Sequence, residues 1–436
     1  MARATFLIAL AAAAALAVGC AGSRENGPVQ LLVFGDPEEL AAYRSLVEAY
    51  EREDPDAEVA LVEASDRSDL VSRLSTSIAG GSPPDLFLIN YRFYGQFASK
   101  GAIEPLDERL SESKALAVRD LYPQAIEAFR WQGRQLCLPQ NISSLVVYYN
   151  RALFRRFDTP EPRSGWSWNE LVATAGRLTR DAEGRPALGG DPDTGGVRPA
   201  IYGLGVEPTL IRVAPFVWSN GGELVDDDRR PTRLTLHTPE SRAALQALLD
   251  LRAQGVVPTD EDVEAEDDES RFANGRLAML LSSRRSTTML RAISELDWDV
   301  APLPRHLRPA GILHSDAYCM AAGSERKEAA WRFVEFALGE EGQRIVARTG
   351  RTVPSSIAVS RSRAFLDPSQ PPRQARVFLD GIATIRRAPS ISTWPEIEDV
   401  TDGVLENGMY LGQPVDEVIR ELDRVTRPLF ARAETP

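Results

Sequence analysis

Apolar runs and amphipathic stripes alternate from residue 30 onward. Leu31-Leu32-Val33-Phe34 is a continuous apolar run of the buried-strand type. Asp36-Pro37-Glu38-Glu39 follows, with Asp placed to cap a helix, Pro at its first position and Glu at its third. Leu40, Tyr43, Leu46, Val47 and Tyr50 then fall on one helical face, and Asp54-Pro55 stops the helix. Ala57 to Val62 reads as a second strand. Ser68 is placed to cap a second helix with Leu70, Val71, Leu74 and Ile78 inward, ended by Gly80-Gly81. Leu86 to Ile89 is a third strand. This β-α-β-α-β order predicts a parallel sheet with helices on both faces.

The same reading continues downstream. Trp131-Gln132-Gly133-Arg134 is a turn, and Gln135–Leu138 and Leu145–Asn150 are strands on either side of Pro139–Ser144. Ser167-Trp168-Asn169-Glu170 is a capping box. Residues 181–200 are rich in Gly, Pro and Asp and predict a surface excursion. Thr238-Pro239 opens a helix closed by Gly255, and the acidic stretch 260–269 predicts a solvated loop. Leu277–Leu281 is a strand, and Ser324 is placed to cap a long helix carrying Trp331, Val334, Phe336 and Leu338.

The first 20 residues follow a different pattern. Arg3 precedes the apolar run Phe6–Val18, which is short for a membrane-spanning helix and predicts a signal peptide over residues 1–19. Ala17-Val18-Gly19-Cys20 resembles the lipobox of bacterial lipoproteins, so Cys20 is the expected lipidation site and residues 20–27 a lipidated tether. The expected location is extracytoplasmic, anchored to the envelope membrane. Cys137 and Cys319 remain: an oxidising compartment allows them to pair, but their apolar settings favour two buried free thiols.

Composition narrows the function. A chain of 436 residues predicts more than one lobe. With 63 acidic and 50 basic residues the net charge is −13, a poor balance for binding nucleic acid through phosphates. Catalytic and cofactor signatures are missing. His237, His306 and His314 are dispersed and form no metal-ligand spacing, and no Gly-rich loop followed by Lys cradles a phosphate. No catalytic residue, metal site or cofactor is expected, although 63 acidic residues always offer carboxylate pairs. The recurring signal is of another kind. Short clusters at strand-to-loop junctions mix aromatic rings with planar hydrogen-bonding groups, as ligand sites of parallel sheets do. They are Asn90-Tyr91-Arg92-Phe93-Tyr94, Gln140-Asn141, Trp218-Ser219-Asn220, Ser282-Ser283-Arg284-Arg285, His314-Ser315-Asp316 and Gly350-Arg351.

These pieces, in this order, resemble the family 1 extracellular solute-binding proteins of ABC importers, the sugar-binding group that includes maltose-binding protein. The matching segments include Gly81-Ser82-Pro83-Pro84-Asp85-Leu86, Leu138-Pro139 with Val147-Tyr148-Tyr149-Asn150, and Trp166-Ser167-Trp168-Asn169-Glu170-Leu171. Further matches are Asn220-Gly221-Gly222, Phe272-Ala273-Asn274-Gly275-Arg276-Leu277-Ala278-Met279, Ala301-Pro302-Leu303-Pro304 and Ala329-Ala330-Trp331-Arg332-Phe333-Val334. Ser282-Ser283-Arg284 stands where relatives usually carry an aromatic residue. The resemblance implies a two-lobed α/β periplasmic-binding-protein fold of type II, with a cleft between lobes that closes by hinge motion on a small solute. It implies lobe one over residues 28–138 and 303–350 and lobe two over 139–302 and 351–436, with crossings near Pro139, Pro302 and Val353. It implies a membrane-anchored receptor, not an enzyme, that captures a carbohydrate and delivers it to ABC permease subunits. The same fold binding a non-sugar solute, an envelope glycosidase and a sensor stay open as alternatives. The expected ligand-binding residues are Asp36, Asn90, Tyr91, Asn141, Trp218, Ser283, Arg284, His314, Asp316 and Arg351.

Overall fold

A computed structural model describes residues 27–187 and 197–436. Signal peptide, Cys20 and most of the tether lie outside the described residues, as does part of the 181–200 excursion. The first three strands are β1 (Val29–Phe34), β2 (Val59–Ala64) and β3 (Leu86–Asn90), all parallel, with β1 between the other two. Helix α1 (Pro37–Glu53) follows β1, α2 (Arg67–Ala79) follows β2 and α3 (Tyr91–Ala98) follows β3. The α1 cap is as expected: the Asp36 side chain accepts from the Glu39 backbone N–H at 2.9 Å. The α2 cap is Asp66, not Ser68, and the helix therefore starts on Arg67. An ionised Asp two residues upstream competes better for the free N–H groups than a hydroxyl does.

A short hairpin, β4 (Arg130–Trp131) and β5 (Arg134–Gln135), turns at Gln132 and Gly133, whose φ values are 49° and 80°. It leads to β6 (Cys137–Pro139). The second sheet is antiparallel, with β7 (Val146–Asn150) between β8 (Met279–Ser282) and β9 (Trp298–Ala301). A two-stranded parallel pair joins β10 (Gly311–Ile312) to β12 (Ile385–Arg386). Strand β11 (Asp316–Met320) completes the first sheet in the order β2-β1-β3-β11-β6, antiparallel to both of its neighbours.

Three connectors run side by side between the sheets. Asn141 bridges Pro354, Ser143 bridges His314, and the Ile142 N–H donates to the Val353 carbonyl at 2.9 Å. Residues 303–312, expected in lobe one, hydrogen-bond to residues expected in lobe two instead: the Arg305 and Leu307 N–H groups donate to Trp166 and Ser219. The chain enters the first sheet only at Asp316, not beside Pro302.

Three further expectations are corrected. Residues 260–269 are not an open loop but the helix Asp260–Ala265 and the start of the helix Asp268–Ala273. A Thr259–Asp262 capping box and acidic residues in each first turn favour helix there, through the dipole. Cys137 and Cys319 are a disulfide, not free thiols, because they face each other across the antiparallel β6–β11 pair with Cα atoms 4.4 Å apart. Ser324 does not cap the helix Lys327–Leu338; it donates to Asp85 at 2.6 Å.

Candidate functional site

Strands β1, β2 and β3 run in one direction, so their C-terminal ends open on one edge, the place where sheets of this type bind ligands. Strand β11 enters antiparallel, and its first residue, Asp316, pairs with Asn90 at the end of β3. The segments Gly35-Asp36, Ser65-Asp66-Arg67, Asn90 to Phe93 and 313–316, some of them helix starts, therefore meet at this edge, joined by connector 140–143.

Asn90, Asn141 and Asp316 are brought together there. The Asn90 Nδ2 donates to Asp316 Oδ1 at 3.1 Å, and the Asn141 Nδ2 donates to Oδ2 at 3.2 Å. Asn141 Oδ1 accepts from the Asp316 N–H at 3.0 Å, and the Ser315 hydroxyl donates to the Asn141 carbonyl at 2.6 Å. One amide thus holds each carboxylate oxygen of the half-buried Asp316, and each oxygen keeps a further lone pair for a hydroxyl. His314 lies two residues before it with a buried Nε2 that meets no partner. Burial, then the arginines 92, 212, 67 and 285 around it, hold its pKa well below the usual imidazole value, so it is neutral at pH 7.

Asp36 and Arg351 also meet, in a cluster of their own. Arg351 pairs with Glu39 and its Nη1 lies 3.0 Å from Asp36 Oδ2, while the Tyr43 hydroxyl donates to Glu39 at 2.9 Å. Burial raises the Glu39 pKa against the opposing pull of Arg351. Arg351 is thereby occupied by Asp36 and Glu39 rather than free to donate to a ligand.

The other expected residues lie elsewhere. Tyr91 is fully buried, and its hydroxyl accepts from the Ala388 N–H at 3.2 Å. Trp218 is 1% exposed in the second core with Arg386 over its ring, so no face is open to a ligand. Arg284 is buried between Phe365 and Phe378 and donates through Nε to the Gly350 carbonyl. Ser283 follows β8 half-buried, and its carbonyl accepts from the Tyr148 hydroxyl at 2.8 Å.

Residues outside the expected ligand-binding set complete the edge, Arg67 and Arg212 unnamed in the sequence reading and Arg92 and Arg285 named only within clusters. Arg67 lies over Phe34 and Phe93, with its carbon Cζ 5.5 and 5.2 Å from the ring centres. Its signal was present: it directly follows an Asp helix cap at a strand end, and placing the cap at Ser68 hid it. Arg92 pairs with Glu398 of the helix Trp394–Tyr410, and this pair ties the first sheet's edge to the second unit. Gly95 makes that approach possible, because a Cβ there would sit 2.4 Å from the Ser390 carbonyl. Arg212 pairs with Glu207 at 2.8 Å and Arg285 with Glu269 at 3.4 Å. Among the described residues no cluster of His, Cys, Asp or Glu is arranged to hold a metal ion. A cavity of about 620 Å³ lined by Val146, Pro302, Gly311, Phe378 and Thr384 contains none of these residues. The convergence of charges and amides at the strand ends is therefore taken as the site.

Comparison with known proteins agrees with this architecture. Residues 35–344 match the family described as bacterial extracellular solute-binding protein. The maltotriose-binding protein of Pyrococcus abyssi is 24% identical over 317 residues, 71% of this chain and 62% of the relative. A binding protein of Brucella abortus is 25% identical over 84% of this chain and 82% of the relative. The structure of an ABC substrate-binding protein of Listeria monocytogenes in complex with cycloalternan superposes with a TM-score of 0.81 at 24% identity. It covers 92% of this chain and 98% of that one. This likeness establishes the two-lobed α/β binding-protein fold.

Proposed function

The chain belongs to the bacterial extracellular solute-binding protein family, and from that premise we propose that it is the lipid-anchored receptor of an ABC importer for a carbohydrate-like solute. The observation that carries this reading is Asp316, held by the side chains of Asn90 and Asn141 at the strand-end edge. A carboxylate with both oxygens fixed and lone pairs to spare suits vicinal hydroxyls. The Pyrococcus relative is named for maltotriose, which supports a carbohydrate. The solute is bound and released unchanged. Closure follows because a ligand between lobes gains both sets of contacts only when they meet, and the permease subunits then receive it. Cys20 carries the lipid, and mass spectrometry of the mature N-terminus should find a diacylglyceryl cysteine there.

The test is calorimetry against a panel of mono- and oligosaccharides, followed by small-angle scattering with whichever binds. A smaller radius of gyration at saturation supports the reading. Conversion of the sugar to a product, or binding with no change of shape, argues against it.

A further inference from the structure

Sugar sites commonly present open aromatic faces, and this edge does not. All seven tryptophans are at most 6% exposed. Nine of the ten tyrosines are buried, and only Tyr410 is partly open. The rings at the edge, Phe34 and Phe93, are already covered by the Arg67 guanidinium. Among the described residues Arg67 has no ion pair and no hydrogen bond, and its Nε is buried without a partner. Arg212 Nε and His314 Nε2 are likewise buried and unpartnered.

The nearby carboxylates are already engaged. Asp316 takes the two asparagine amides, Glu398 takes Arg92 and the Trp394 indole, and Glu207 takes Arg212. Glu269 accepts from Ser286 and pairs with Arg285, while Asp36 and Glu39 hold Arg351. Asp316 and Glu398 act on Arg67 only from a distance, against the repulsion of Arg92 and Arg285; a partly buried cation without a paired carboxylate is costly, and a bound anion relieves that cost. The planar fork of a guanidinium fits a carboxylate or phosphate with two parallel hydrogen bonds. Two rings clamp the Arg67 fork at the cleft edge, so little conformational freedom is left to lose on binding.

We propose that the solute is acidic: a hydroxylated molecule bearing a carboxylate or phosphate, which Arg67 binds while Asp316 takes its hydroxyls. Arg212 and Arg285 face it from the second lobe. This rests on the solute-receptor reading above and names the substrate class of that same site.

The purified protein is titrated by calorimetry with glucose, glycerol and maltotriose, and with glucuronate, glucose 6-phosphate, glycerol 3-phosphate and inorganic phosphate. A charged member should bind at least about 100-fold more tightly than its neutral parent, glucuronate or the phosphate esters showing which oxyanion is read. Arg67→Gln should lower that affinity about 10- to 100-fold, with Arg67→Lys in between and both melting temperatures near that of the parent. If maltotriose or glucose binds and the acidic compounds bind no better, the proposal falls and the carbohydrate receptor stands. If Arg67→Gln leaves the affinity for an acidic ligand unchanged, the residue assignment falls. If no compound binds at millimolar concentration, the acidic-solute proposal falls, and the larger saccharide panel decides the receptor reading independently.

Discussion

Two arginines of this protein have similar neighbours and opposite surroundings. Arg67 lies against Phe34 and Phe93 at 5.5 and 5.2 Å, and Arg284 against Phe365 and Phe378 at 4.6 and 4.7 Å. Neither forms an ion pair with a carboxylate of the described residues, and both keep buried N–H groups unpartnered. Arg284 is 1% exposed, held by its two rings and its Nε bond to Gly350, with Tyr148 and Arg291 nearby. Arg67 stands half-buried at the open end of β2. A guanidinium between rings is therefore a packing element where solvent is excluded, and a recognition element where one side of the fork remains accessible. The residue types alone do not separate the two cases.

The comparison requires a rigid edge in the first lobe, and the largest expected effect tests that. The Cys137–Cys319 disulfide closes a long loop, its two residues 182 positions apart, and pins β6 to β11 just before the connectors. Reduction or Cys137→Ala/Cys319→Ala should cost about 2–5 kcal/mol of stability in urea unfolding. Equal stability with and without reductant would return the cysteines to free thiols.

The packing role of Arg284 comes next. Arg284→Ala should destabilise by about 2–4 kcal/mol, since it empties the space between two rings, and leave solute affinity unchanged. Lost affinity at an unaltered melting temperature would erase the distinction from Arg67. Asp316→Ala should weaken solute binding by about 1–3 kcal/mol in calorimetry, with a smaller change in the stability of the free protein.

The smallest effect per step is on pH. Neither guanidinium changes its charge appreciably between pH 4 and 7, so titration there comes from other groups, the buried carboxyls among them. Burial, reinforced by Glu207, pushes Asp268 up to about 7, and burial pushes Asp402 up to about 7 as well. Between the unfolded value near 4 and this raised value the native state holds the extra proton. Stability therefore falls as pH rises through that window and levels off above it, by at most about 1.4 kcal/mol per pH unit for each group. Asp268→Asn should flatten part of that slope in melting temperatures measured from pH 4 to 8.

Much of this frame is legible in the sequence itself. The Asp36-Pro37-Glu39 cap, the Ser167–Glu170 capping box and the three parallel strands were all read from short-range patterns. Caps and amphipathic stripes depend on residues three or four apart. Errors came where two local rules competed, as at Asp66 against Ser68. They also came where charge was taken for disorder, as over 260–269. Asn90, Asn141 and Asp316 sit at strand ends where planar polar groups gather in the sequence, and the structure brings them together, whereas Trp218 is buried: a tryptophan beside a Gly turn looks the same in sequence exposed or buried.

The order of strands and helices, the helix starts with strong caps and the strand ends where polar groups gather can be read along the chain, because they depend on near neighbours. Which of those groups meet is set by long-range contacts. Asp316 reaches Asn90 across 226 positions through the antiparallel register of β11 on β3, and Cys319 faces Cys137 through the register of β11 on β6. Arg67 remains unpaired because the nearby carboxylates are engaged by other groups. Register, burial and the distribution of counter-charges are set by contacts far apart in the chain, and no local pattern of residue types encodes them.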